Sequence, residues 1–407
     1  MSLKKGLCAL LAVLCLFCLI SCKLVRINKE RDAAQVVAIV EGHKILKGEY
    51  LQALRSALAQ YGMTEEDLDS ADYASIAETF RVQVLDMVIE QKVQLIKAAE
   101  LGLDQLTDED YAAIQEDIDS LLSSMLEGQK ATIAAENGTL SEEQIAEQAE
   151  IAVQAFRDEN GYTDAYLHTY YTNLKIVEKV KDYLIQDVSI TDDTVYSSWA
   201  SKCDDAKSSY SSDPTAFVAD LNDNNTIYYY NEETHRVKHI LLKLSEEDIS
   251  EITSLRKNEG DEAADTLREE RLARLTDKLA EVQEKLGEAP DKETFDAVMQ
   301  EHSEDTGLAS YPDGYLLCAS STQYMPEFTK GGMALKNEGN TSVISTDYGY
   351  HILYLDKVWS MGVVPYDDIK EALRLELETE KKNETYYTAV DFWWDAMEVT
   401  TYPKRLG

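Results

Sequence analysis

Two histidines far apart in the chain have the type and setting to do chemistry, because an imidazole gives or takes a proton near neutral pH. His239 lies in Arg236-Val237-Lys238-His239-Ile240-Leu241-Leu242, and His351 in Tyr348-Gly349-Tyr350-His351-Ile352-Leu353-Tyr354-Leu355. Both runs are aliphatic and aromatic and read as strands, whose side chains alternate between faces. That period puts His239 with Val237 and Leu241, and His351 with Leu353 and Leu355. A lone histidine on such a face is more often a hydrogen-bonded core residue, so a chemical role needs a wider pattern. Metal binding is not expected: the 6 histidines are scattered, with no Cys-x-x-Cys or His-Glu-x-x-His spacing. No glycine-rich phosphate loop follows a strand, so no cofactor is expected either.

The elements around the two strands are mostly helical. Val36 to Val40 reads as a short strand, and Glu41-Gly42-His43-Lys44 as a turn. Apolar spacing predicts helices over 47–60, 76–101, 107–126, 142–156 and 163–186, and a short one from Ser189 through Trp199. Thr107 and Ser141 stand before acidic first turns as capping hydroxyls, and Gly102 closes the second helix. After a polar stretch, residues 226–243 read as extended, 245–287 as charged helix interrupted near Asn258-Glu259-Gly260, and 295–302 as a short helix. Glycine-punctuated strands follow to Lys357, and a helix over 366–397 closes the chain. No internal repeat is present.

The segment from His239 to His351 resembles the parvulin family of peptidyl-prolyl isomerases. Its opening, Val237-Lys238-His239-Ile240-Leu241, is similar to the family's V-x-x-H-I-L segment with one residue fewer between valine and histidine, and its close, Gly349-Tyr350-His351-Ile352, is similar to the family's G-Y-H-I-I segment. Between them stand His302-Ser303-Glu304-Asp305, like the family's serine-aspartate turn, and Gln323-Tyr324-Met325-Pro326-Glu327-Phe328, like the approach to its lid helix. Asn337-Glu338-Gly339-Asn340-Thr341-Ser342 and Thr346-Asp347-Tyr348-Gly349-Tyr350-His351 complete the order. The resemblance implies a hydrogen-bonded pair His239–His351, with Thr346 supporting its tautomers and Asp305 near the substrate carbonyl. It implies a substrate site formed by Asp313, Tyr324, Phe328 and Tyr348, with Phe328 lining the proline pocket. Two positions depart from the family: Tyr324 replaces a methionine, and Asp313 ahead of Gly314 replaces a leucine. An aspartate on a pocket wall would be costly to desolvate.

The flanks are similar to those of PrsA- and SurA-type foldases, through Val37-Ala38-Ile39-Val40-Glu41-Gly42, Lys97-Ala98-Ala99-Glu100-Leu101-Gly102 and Val188-Ser189-Ile190-Thr191-Asp192-Asp193. The implied fold is α+β: a predominantly helical N/C-terminal chaperone domain with an inserted parvulin-like α/β domain, a small antiparallel sheet flanked by helices. The expected parts are a signal peptide over 1–21, a tether over 22–35, a helical chaperone region over 36–225, an isomerase domain over 226–360 and a C-terminal helix over 361–407 that packs on the N-terminal region. Residues 245–290 exceed what a plain parvulin needs and are expected to form a helical arm or hairpin. Trp393, Trp394 and Phe392 near the end are candidates for lining a cradle for unfolded chains.

The N-terminus sets the expected compartment. Lys4 and Lys5 precede an apolar run over 7–20, too short to span a bilayer comfortably. The run ends in Leu19-Ile20-Ser21-Cys22, which looks like a lipobox, so Cys22 is the expected lipidation site on the outer face of a bacterial cell membrane. Cys203 and Cys318 then remain, enough for one disulfide. The net charge is −37, or −39 once Lys4 and Lys5 are gone, which argues against nucleic-acid binding. With 44% hydrophobic residues and 24 tyrosines, the chain is expected to pack rather than stay disordered. The expected partners are unfolded secreted proteins, with a homodimer implied only by analogy. The rival readings are a holdase without turnover and a solute-binding lipoprotein, the latter lacking its alternating βα order.

Overall fold

The computed structural model describes residues 29–407. The expected signal segment, Cys22 and the first part of the tether lie outside the described residues. The chain divides into two compact units, one ending at Ser189 and completed by Glu378–Gly407, the other formed by Ile190–Leu377. The second unit thus begins at Ile190. No described helix is long and apolar enough to cross a membrane.

In the first unit α1 (Lys29–Ala33) leads into β1 (Val36–Val40) and β2 (His43–Leu46), followed by α2 (Lys47–Ala59), α3 (Glu65–Leu68), α4 (Ala77–Leu101), α5 (Asp108–Glu136), α6 (Glu142–Asn160) and α7 (Asp164–Ile185). Thr107, Ser141 and Thr163 each accept a backbone N–H at the start of their helices, and Gly102 ends α4 in the left-handed conformation. The core joins Val37, Ile45, Tyr50, Leu54, Leu85 and Ile89.

The second unit opens with α8 (Asp192–Ser212) and α9 (Pro214–Asn222), then β3 (Tyr229–Tyr230), β4 (Thr234–Lys243), α10 (Glu246–Asn258), α11 (Asp261–Leu272), α12 (Thr276–Leu286), α13 (Lys292–His302), β5 (Tyr315–Cys318), α14 (Pro326–Ala334), β6 (Thr341–Thr346), β7 (Gly349–Trp359) and β8 (Gly362–Val363). The last helix, α15 (Tyr366–Ala396), places Ile369 and Leu373 in the second unit's core, and its later Tyr386 donates to Gln94 in the first. The closing strand β9 (Val399–Thr401) pairs antiparallel with β1.

Several elements are longer than the sequence spacing predicts: α5 continues to Glu136 and α8 to Ser212. The polar stretch after α8 contains α9, which starts on Pro214 and buries Phe217 and Leu221. Cys203 and Cys318 are both free and buried, so the possible disulfide is not formed.

A four-stranded antiparallel sheet in the order β5-β4-β7-β6 positions the site. Its central strands are apolar on both faces because both are covered. Ile240, Leu242, Ile352 and Tyr354 pack on Phe295 and Met299 of α13. Val237, Leu353 and Leu355 pack beneath Phe328 on the opposite face.

Candidate active site

Strand register explains how the two histidines meet. His239 lies opposite Leu353 and Leu241 opposite His351, so the histidines are diagonal neighbours on one face. Ile344 lies opposite His351, and Thr346, two residues on, is the next diagonal neighbour on that face. Gly349 starts β7 at φ +145°, where an added Cβ would meet the Leu242 carbonyl oxygen at 2.0 Å. Glycine is therefore required where the hairpin turns tightly onto β4.

Asp305 arrives from the other side. Strand β5 pairs only with residues 234–237 of β4, which leaves the edge of Leu241 free. The turn after α13 takes that edge: Leu241 N–H donates to Ser303 Oγ, Glu304 N–H donates to the Leu241 carbonyl, and Lys243 N–H donates to Glu304 Oε2. The serine and acid of this turn thus satisfy backbone groups that the sheet leaves unpaired.

The polar groups form one chain. His239 Nε2 is 2.9 Å from Asp305 Oδ2, His239 Nδ1 is 3.0 Å from His351 Nδ1, and His351 Nε2 is 2.8 Å from Thr346 Oγ1. Tyr348 N–H donates to Thr346 Oγ1 at 3.1 Å. One tautomer set satisfies every member: Thr346 O–H donates to His351 Nε2, His351 Nδ1–H to His239 Nδ1, and His239 Nε2–H to Asp305. Burial, with His239 alongside, pushes the His351 imidazole down to about 3, although Asp305 pulls the other way. Burial would raise the Asp305 pKa, but hydrogen bonds from His239, the Tyr315 hydroxyl and Gly307 N–H outweigh it and hold the carboxyl well below the usual range. The result is a fixed carboxylate beside two stacked rings.

An aromatic wall closes over the histidines. Phe328, in the first turn of α14, has its ring 4.9 Å from that of His239 and 5.5 Å from that of His351. Tyr324 lies 5.9 Å from Phe328. Helix α14 approaches the sheet closely enough that a Cβ on Gly332 would meet Leu317 Cδ1 at 2.4 Å.

Two of the expected substrate-site residues are exposed. Asp313 is exposed in the turn before Gly314, whose φ of +100° swings the chain so that Tyr315 is the residue facing the site. The expected desolvation of an aspartate on the pocket wall therefore does not arise. Tyr348 is 45% exposed and contributes only its backbone N–H to the polar chain. Sequence reasoning missed Tyr315, whose hydroxyl donates to Asp305 Oδ2 at 2.6 Å and whose ring lies 5.2 Å from His239. Its signal was its place immediately after a glycine at the head of a short strand. Also missed was His235, buried on β4, with Nδ1 3.0 Å from the Gly332 carbonyl oxygen and so tied to the end of α14. Among the described residues no group of acids, histidines and cysteines is arranged to hold a metal ion.

Two family models match this chain: the PPIC-type PPIase domain over residues 239–357 and the SurA-like N-terminal domain over residues 2–165. Foldase protein PrsA of Clostridium botulinum (strain Okra / Type B1) is 25% identical over 410 residues, covering 98% of each chain. The PrsA of Clostridium kluyveri (strain ATCC 8527) is 23% identical and covers 99% of this chain and 98% of its own. Among solved structures, PrsA from Bacillus subtilis aligns at 16% identity and a TM-score of 0.25, covering 89% of this chain and 93% of its own. One of the SurA-like chaperones of Campylobacter jejuni aligns at 10% identity and a TM-score of 0.31, covering 90% and 98%.

Proposed function

We infer the function of this chain from the premise that it belongs to the PrsA/SurA type of foldase, with one PPIC-type isomerase domain: it speeds rotation about X-Pro bonds of secreted proteins outside the cytoplasm. A lipid on Cys22 holds it at the membrane in this reading, and the first unit with the end of the last helix holds unfolded chains. The observation that carries it is the hydrogen-bonded chain Asp305–His239–His351–Thr346 beneath the aromatic wall of Phe328.

Rotation about the X-Pro bond is slow because amide resonance must be broken, with a barrier of about 20 kcal/mol. No covalent bond need form. Phe328, Tyr324 and Tyr315 offer apolar surface to the proline ring. Asp305, held as an anion, disfavours the planar amide, whose oxygen carries more negative charge than that of the twisted one. The buried histidine pair fixes the carboxylate and withholds water from its far side.

An isomerase assay on the folded chain, run beside His239→Ala and His351→Ala, tests this reading. The expected result is a rate above background that either substitution lowers at least about tenfold, or about 1.4 kcal/mol of barrier. Binding without turnover is the second reading, favoured by Tyr311, Tyr315 and Tyr324 crowding the same wall. No acceleration by a well-folded sample, with aggregation of an unfolded client still suppressed, would establish that alternative.

A further inference from the structure

The charged stretch after β4 folds as a helical hairpin: α10 and α11 enclose a small core of Leu244, Ile252, Ala264 and Leu272. The hairpin reaches the site through two arginines. Arg256 grips Asp347 with both arms of its fork, Nε to Oδ2 at 2.8 Å and Nη2 to Oδ1 at 2.6 Å. Arg268 Nη1 stands 3.5 Å from the same Asp347 and 3.7 Å from Glu327 Oε1. Asp347 directly follows Thr346, the end of the histidine chain, and Glu327 directly precedes Phe328, the ring over the histidines. One guanidinium therefore spans the two elements that must be in register for the site to work, the β6–β7 turn and the first turn of α14.

We propose that Arg268, seconded by Arg256, is a positioning residue that locks the β6–β7 turn and α14 together, so that the histidine tautomers and the aromatic wall are set as one unit by the inserted hairpin. The physics favours a structural lock over a surface ion pair. The Asp347 side chain is 9% exposed and that of Arg268 14%, so screening by water is weak. Charge-assisted fork contacts to a buried carboxylate are directional as well as strong. Asp265 on α11 touches both arginines, at 2.8 Å from Arg256 and 3.3 Å from Arg268, and keeps their planes from turning outward. Removing one arginine leaves Asp347 with the other, whereas removing both leaves a buried anion unpaired. The lock is thus redundant at Asp347 and single at Glu327, which depends on Arg268 alone among the described residues.

The proposal rests on the isomerase reading for its effect on rate, but its geometry can be tested without turnover. In the full chain labelled with ¹⁵N-histidine, the ring-nitrogen signals of His239 and His351 report their tautomers directly. Arg256→Gln combined with Arg268→Gln is expected to replace one defined tautomer of His351 by an averaged one, while far-UV dichroism stays native. Arg268→Gln alone and Glu327→Gln are expected to leave the tautomers intact and to raise KM for a proline peptide roughly 2- to 30-fold with little change in kcat. Arg268→Lys is expected to restore part of that loss. Unchanged histidine signals in the double variant would overturn the proposal, as would an unchanged KM in both Arg268→Gln and Glu327→Gln. If the double variant fails to fold, the half-buried Glu327→Gln still decides the link to α14. If the parent chain shows no turnover, the isomerase reading fails and the histidine signals, with peptide affinity in place of KM, still judge the lock.

Discussion

At the scale of single residues the site is governed by two groups whose proton affinities differ from those they have in water. His351 is neutral in the fold down to about 3, against an ordinary value of 6.5. The unfolded chain therefore takes up a proton, as pH falls below about 6.5, that the folded chain refuses. Stability from this group is complete above that range and is lost as pH falls toward 3, by at most about 1.4 kcal/mol per pH unit. Asp305 has its pKa lowered in the fold, so its contribution is present above the ordinary carboxylate range and disappears at lower pH. Urea titrations from pH 7 to 4 are expected to show a falling stability whose slope is reduced in His351→Gln; an equal slope would assign the proton to another group. Tyr315→Phe keeps the ring but removes one donor from Asp305, and is expected to cost about 1.5–3 kcal/mol, the range for hydrogen bonds to charged groups. Urea midpoints of Tyr315→Phe and the parent check this, and a loss below about 0.5 kcal/mol would mean solvent replaces the hydroxyl freely.

At the scale of elements the close seating of α14 on the sheet decides whether Phe328 reaches the histidines. Gly332→Ala gains about 1 kcal/mol of helix propensity, yet its Cβ meets the fully buried Leu317 at 2.4 Å, an overpacking that costs about 1–3 kcal/mol. The second term wins: the variant is expected to be less stable and to move Phe328 off the imidazoles, seen as a change in the ring-shifted histidine proton signals. A more stable variant with unchanged signals would show that Leu317 rotates away at little cost. The same elements show what was legible in the sequence. Long helices with capping hydroxyls, such as α5 and α6, announce themselves through spacing and first-turn acids. The diagonal meeting of His239, His351 and Thr346 was foreseeable only through resemblance, because register is a property of paired strands and neither strand states it alone. Tyr315 left only the slight signal of following Gly314, because the positive φ of that glycine, a property of the folded backbone, decides which neighbour faces inward. Strand β9 has three residues, too few for any period, and exists because β1 offers an edge to it.

At the scale of the whole molecule, the first unit is assembled from both ends of the described chain. Its core holds Val37, Ile45 and Leu85 from the early residues and Leu406 from the last turn, with Trp393, Trp394 and Val399 packed against it. Strand β1 takes β9 as its second partner, and the Gln94 side chain accepts the Tyr386 hydroxyl at 2.7 Å. The second unit completes its core with residues up to Leu377 and needs nothing later. A chain ending at Leu377 therefore separates the two. Withdrawing a large apolar side chain from water contributes about 1.5–3 kcal/mol, and a domain's net stability is about 5–15 kcal/mol. Losing Leu406, both tryptophans and Val399 removes enough to unfold a unit of ordinary stability. Hydrogen exchange on this truncated chain is expected to show β1 and α4 unprotected while β4 and β7 keep their protection and the His239–His351 signals persist. Protection of β1 at the parent's level would mean that the early helices fold without the C-terminal residues. The expected pattern would place completion of the first unit after synthesis of the last turn, so that the isomerase unit is finished first and the helical unit waits for the end of the chain.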